Sequence, residues 1–497
     1  MSVKRGAGFH PRRALHDNRR ITTGTPPPTM PTFSRLTDPM FGSPAVLDIF
    51  SDAGTVRRML AAEAALAWAE AQCGVIPTEA AAFITETCAS PDVIDFDALA
   101  QAAVSGGNLA IPFVKQLTAA VTQRDADAGR YVHWGATSQD IIDTALVLQL
   151  GDALGAIESD LLRLGDACAV LAATHRATPM VARTWLQHAL PTTFGCKAGG
   201  WLDALRRDLE RLDRVRKQAR ALQFGGAAGT LASLGDAAPA VAARFAAELG
   251  LDLPDLPWHA HRDRLVEVAT ALGMLTGTLG KMARDISLMM QTEIAEVAEP
   301  SGPGRGGSST MPHKRNPVGC AAVLTAAIRV PPLVATMLAG MTQEHERALG
   351  GWQAEWDTLP QIAALAAGAL RQMSDVAGGL QVDAARMRAN LDITHGLILG
   401  EAAMLELGRR IGRLPAHHLV EQASRRAVAD GCTLRTALAR TLAEDPKHAG
   451  LLDDETLDRL SDPAQYAGQS ERFADAAAAA WHAARANHAN HANHKKA

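Results

Sequence analysis

The sequence predicts an all-α protein, with three helical domains built around a central bundle of long helices. Hydrophobic residues make up 47% of its 497 residues but aromatics only 4%. That balance suits helices in close approach better than strands, which favour β-branched and aromatic side chains. Leu202, Leu205, Leu209 and Leu212 recur by threes and fours, and Val215, Ala219 and Leu222 continue the stripe, as in a bundle seam. Strand alternation of any length, a dinucleotide-binding glycine fingerprint and a Walker motif are all missing.

Residues 1–30 are expected to form a disordered basic extension. Lys4, Arg5, Arg12, Arg13, Arg19 and Arg20 face one acid, Asp17, and the segment closes on Pro26-Pro27-Pro28. It lacks the apolar core of a signal peptide, and Met30 offers an alternative start. Residues 31–140 then read as a first helical domain. Its clearest helix runs from Val56 to Gln72 and is stopped by Gly74 and Pro77. The turn Ser105-Gly106-Gly107-Asn108 is of a kind that brings backbone amides to a ligand.

The central domain, residues 141–383, is expected to hold helices from Ile141 to about Thr174, after Gly195, from Arg262 to Ala298, and from about Ala321 to Met341. A smaller helical domain follows over 384–484, and a His/Asn-rich tail occupies 485–497.

A formal net charge of −4 gives no reason to expect nucleic acid. The six cysteines are scattered without a CxxC pair, as free thiols in a reducing compartment would be. No apolar run is read as reaching the roughly 18 residues of a membrane span. A soluble, cytoplasmic protein is expected, with no metal and no organic cofactor.

Three polar segments punctuate the helices. In the first, Thr137-Ser138-Gln139-Asp140 precedes a long helix as an N-terminal cap does, and helix N-termini also bind anions. His133 lies just before it. The second contains Arg183, Thr184, Trp185, Leu186 and Gln187. The third, Gly306-Gly307-Ser308-Ser309-Thr310-Met311-Pro312-His313-Lys314-Arg315-Asn316-Pro317, is the most unusual. Glycines alone suit any surface loop; paired serines, a lysine and an asparagine set between prolines suit a catalytic one.

Together these segments resemble the three signature regions of the fumarase/aspartase superfamily, over about residues 35–480. The resemblance implies a homotetramer in which each active site draws its three regions from three subunits. It implies Ser308 as the base, with Ser309 as the other candidate, and Lys314 and Asn316 as binders of a substrate carboxylate. Thr137 and Ser138 would add donors. A serine acts as a base only where its alkoxide is stabilised, here by loop amides and Lys314.

Two departures are informative. Many lyases of this superfamily carry Thr-His-x-Gln in the second region, and that His pairs with a Glu five residues after the third region's Asn. Here these positions are Trp185 and Ala321. An indole has no basic nitrogen and cannot shuttle protons.

With Gly350-Gly351-Trp352-Gln353, this combination looks like the 3-carboxy-cis,cis-muconate cycloisomerase branch. That branch adds a substrate carboxylate across the substrate's own double bond. Run backwards, the reaction is a β-elimination whose leaving group departs without needing a proton. A small tricarboxylate substrate calls for several cations, namely Arg183, Arg315 and Arg347 beside Lys314. Gln187 and Trp185 complete the expected binding set, and His133 binds a carboxylate or supplies a proton. The alternatives are an adenylosuccinate-lyase-type enzyme, against which Trp185 and Ala321 speak, and an inert helical scaffold.

Overall fold

The computed structural model describes residues 36–302, 306–307, 311 and 314–494. The basic extension over residues 1–30 and the residues Ser308, Ser309 and His313 lie outside that set.

Helix α1 (Asp52–Gln72) starts at Ser51, whose Oγ accepts the Gly54 amide at 2.7 Å. It buries Val56, Met59, Leu60 and Leu66 against the helices Thr78–Thr87 and Ala238–Glu248. The bundle is built on the long helices α2 (Ser138–Thr174), α3 (Phe194–Ala219), α4 (Asp263–Met289), α5 (Val318–Ala339) and α6 (Gly351–Gly378). The predicted seam is buried throughout, from Leu202 to Leu222. At about 1.5 Å per residue, the 37 residues of α2 span roughly 55 Å.

The structure corrects the sequence reading in five places. The helix expected from Arg262 to Ala298 stops at Met289. Ala295 then takes φ 52°, and Val297–Ala298 pairs with Gln381–Val382. The second polar segment, expected as a plain interruption, is a hairpin of strands β1 (Pro179–Thr184) and β2 (Gln187–Thr193). Ser105 and Gly106, read as part of a turn, are still helical. Gly107, at φ 68°, ends the helix Phe96–Gly106, and Asn108 Oδ1 accepts the Ile111 amide.

The last two corrections concern the chain's second half. The His/Asn-rich stretch continues a helix, α7 (Ser470–His494), which packs on α2 and α3 and so belongs to the bundle rather than to the smaller domain. Trp481 is its anchor: fully buried, it donates to Asp166 at 3.0 Å, and a side chain at Gly165 would collide with it. Finally, α5 is long and apolar enough to cross a membrane by length and composition. It packs between α4 and α6 and leaves Ile328 and Leu338 exposed.

The small domain's own core gathers Leu407, Leu419, Leu438 and Leu457. The N-terminal core recruits Leu222, Phe224 and Phe245 from far along the chain, so domain borders drawn on contiguous sequence do not follow the packing.

Candidate active site

The first polar segment caps α2 as predicted. The Thr137 amide donates to Asp140 Oδ2 at 3.0 Å. Fully buried Asp140 also accepts the Gly225 and Gly226 amides, each at 2.9 Å, and faces His259 Nε2 at 2.7 Å. The turn through Gly225 and Gly226 is therefore the seat of Asp140. Gly226 sits at φ 67°, and a Cβ at Gly225 would lie 2.7 Å from the His259 ring. One helical turn on, buried Asp143 takes two bonds from Arg262, at 2.6 and 3.0 Å, and one from Trp352 Nε1 at 2.9 Å. Arg262 bonds Glu355 at 2.6 Å as well and has no exposed surface.

Two predicted site residues join this end of the bundle. Arg347 donates to Thr137 Oγ1 at 2.7 Å and to the Ala227 carbonyl at 2.9 Å. His133 Nδ1 lies 2.6 Å from Glu63 Oε1, a carboxylate on α1 that is 1% exposed. Burial works against a charged His133, but the charge of Glu63, its hydrogen bond and Asp140 outweigh it and raise the ring's pKa. Ser138 opens α2 beside them, half-buried.

The other predicted residues stand at the opposite end. Trp185 and Leu186 form the two-residue tip of the hairpin, with φ 53° and 64° and with Thr184 paired to Gln187. Trp185 is 98% exposed. Arg183, expected to meet substrate, makes a bidentate pair with buried Glu296, at 2.9 and 2.7 Å, and Asn390 bonds the same carboxylate. Arg315 is likewise engaged within the chain, by Gln381 at 2.9 Å and the Glu299 carbonyl at 2.6 Å.

Glu299 caps α5 by accepting the Gly319 and Cys320 amides, a carboxylate where the helix dipole favours one. Next to it, Ala321 lies in the first turn of α5. The Asn316 backbone amide donates a hydrogen bond to the Gly306 carbonyl at 2.9 Å, and Lys314 is exposed. Within one chain, then, His133, Thr137, Ser138 and Arg347 are a helix length away from Trp185, Gln187, Lys314 and Asn316.

Residues 40–331 match the family model described as Lyase, more than half of the chain. The chain belongs to this lyase family, that of the fumarase/aspartase superfamily. Residues 396–477 match the model for the adenylosuccinate lyase C-terminus. Among similar members, a 3-carboxy-cis,cis-muconate cycloisomerase of Pseudomonas aeruginosa is 53% identical over 90% of this chain and 97% of its own. One from Bradyrhizobium diazoefficiens is 54% identical over 89% and 97%. The crystal structure of the 3-carboxy-cis,cis-muconate lactonizing enzyme from Pseudomonas putida superposes with a TM-score of 0.86 at 51% identity, covering 91% of this chain and all of that one.

Sequence reasoning missed Glu63, Asp143, Arg262 and Glu299. Glu63 did leave a signal, since it stands on the stripe Val56, Met59, Leu60, Leu66 at helical spacing, where an apolar residue is expected. Arg262 left none, because its partners lie 119 and 93 positions away.

Proposed function

We infer that this chain is a 3-carboxy-cis,cis-muconate cycloisomerase, converting that tricarboxylate reversibly to 4-carboxymuconolactone. The observation that carries the reading is the indole of Trp185 on an exposed hairpin tip, with Ala321 where a lyase would hold the matching acid. An amine or hydroxide leaving group asks for a proton donor there, whereas a departing carboxylate does not.

In the delactonising direction a base takes the proton from the carbon next to a carboxylate, and the lactone C–O bond breaks to release a carboxylate. Lactonisation runs the same steps backwards, so no oxidant or cofactor is consumed. We assign the base to Ser308, with Ser309 as its alternative. Lys314 and Asn316 hold a substrate carboxylate and stabilise the doubly charged intermediate. Thr137 and Ser138 serve a second carboxylate, oriented by Arg347, and His133 a third.

Lys314 and Asn316 precede α5 and Arg347 follows it, so the 22 residues of that helix hold them roughly 33 Å apart, and the complete centre is assembled between copies. A homotetramer with shared sites fits this, and the exposed apolar face of α5, with Ile328 at 72% exposure, is a natural contact. Six free cysteines accord with a cytoplasmic enzyme.

An ultraviolet assay tests the activity. Loss of 3-carboxy-cis,cis-muconate absorbance, with no turnover of adenylosuccinate or argininosuccinate, is expected. Turnover of either succinate without the muconate would replace this reading by a C–N lyase. Ser308→Ala is expected to lower kcat by more than about a hundredfold, as for loss of an acid-base group.

A further inference from the structure

Glu63 is a carboxylate set into the apolar face of α1, among Met59, Leu60, Leu66 and Ala67, and it is 1% exposed. A carboxylate in such a place is costly unless it is bonded. Its bond is to His133 Nδ1, at 2.6 Å, from a residue 70 positions away.

The backbone is bent to make that bond. His133 takes φ 62°, in the left-handed region that L side chains seldom adopt, and Gly135 follows at φ 73° with Leu234 packed where a Cβ would be. Strain of this kind persists only where the surroundings over-determine it, and it gathers at functional sites. The His133 side chain keeps 17% exposure, four positions before Thr137.

We propose that Glu63 is a positioning residue of the cycloisomerase, holding His133 by Nδ1 so that Nε2 is the nitrogen presented to a substrate carboxylate. A carboxylate on one ring nitrogen fixes which face of the imidazole the other partner meets and favours the doubly protonated ring. The imidazolium then donates its Nε2–H to the substrate, and no covalent step is involved.

The other ionisable groups around this pair are Glu70 and Cys88, whose environments share the charge of Glu63, and Asp140 from α2. Glu70 lies two turns along α1 from Glu63, fully buried with neither oxygen bonded; burial first and Glu63 second push it up to about 9. Burial and Glu63 likewise keep the Cys88 thiol protonated. Near neutrality neither opposes a charge on His133.

The proposal rests on the tricarboxylate reading, and its test separates the two. The alkaline limb of kcat/KM that disappears in His133→Asn is assigned to His133. In Glu63→Gln that limb is expected to move down by at least one pH unit, with kcat/KM at pH 8 reduced at least tenfold and largely recovered at pH 6. Glu63→Asp, which keeps the charge, leaves the limb within half a unit of its place. A merely structural role lowers activity equally at every pH, and that outcome, or an unmoved limb in Glu63→Gln, overturns the proposal.

Should Glu63→Gln fail to fold, the wild-type enzyme decides. A far-downfield proton resonance from Nδ1–H, missing in His133→Asn, is expected, and its absence overturns the proposal. If the muconate is not turned over at all but this resonance is present, the substrate reading fails while the positioning of His133 stands.

Discussion

Arg347 Nη2 lies 2.7 Å from Thr137 Oγ1, although 210 residues separate them in the chain. The same guanidinium nitrogen bonds the Ala227 carbonyl at 2.9 Å, so one side chain ties the α2 cap, the turn that follows Gly226 and the connection between α5 and α6. Lysine is a point charge on a flexible stem and does not hold both acceptors in one fixed geometry. Arg347→Lys is therefore expected to reduce kcat/KM for the muconate by about tenfold to a hundredfold, the effect of misplacing a positioned group. Steady-state kinetics check this, with a melting temperature within a few degrees of wild type.

Arg262 holds two buried carboxylates, Asp143 and Glu355. Removing it strands both charges in the core, and breaking a buried pair costs about 3–5 kcal/mol. Arg262→Met is expected to lose stability on that scale in urea denaturation. Arg262→Met combined with Asp143→Asn and Glu355→Gln should lose less than the three single effects added together, since the variants share one network.

Gly306 sits at φ 68°, and a Cβ there would lie 2.8 Å from the Asn316 carbonyl oxygen. Gly306→Ala is expected to open the Asn316 to Gly306 bond and shift Asn316 from the substrate carboxylate proposed for it. The outcome to look for is a kcat lowered by about tenfold or more with thermal stability almost unchanged.

Glu70 gives a pH signature. Its carboxyl is raised from 4.5 to about 9, first by burial and then by Glu63. The folded protein holds that proton while the unfolded chain has lost it. Stability from this group is thus whole below about pH 4.5 and drains away as pH climbs towards 9. Glu70→Gln is expected to melt higher than wild type, by a margin that grows from pH 5 to pH 9. A margin flat across that range would show that Glu70 keeps no proton there.

The parts of this fold written in local pattern were legible. Leu202, Leu205, Leu209 and Leu212 announce a buried stripe because helical periodicity is a local property. Thr137 and Asp140 announce a cap for the same reason. What was not legible depends on pairs far apart in sequence. Arg183 and Arg315 read as cations for substrate, and only the tertiary structure brings them to Glu296 and to Gln381 with the Glu299 carbonyl. The strand-like segment around Trp185 was hidden because seven-residue β2 carries too few alternations to stand out. The halves of the candidate site were each recognisable, while their separation emerges from the length and course of α2 and α5.

The hairpin tip carries a consequence for anyone improving this protein. Left-handed backbone in a two-residue turn is the natural place for Asn-Gly, yet Trp185 and Leu186 occupy it, at a cost on the order of 1–2 kcal/mol each. Screens that reward heat resistance alone will find this turn early, because exchanging it for Asn-Gly relieves both residues at once. Such a screen would yield a sturdier hairpin without its indole. Stability of the turn and retention of its indole are set against each other here, and a selection meant to keep Trp185 must score both.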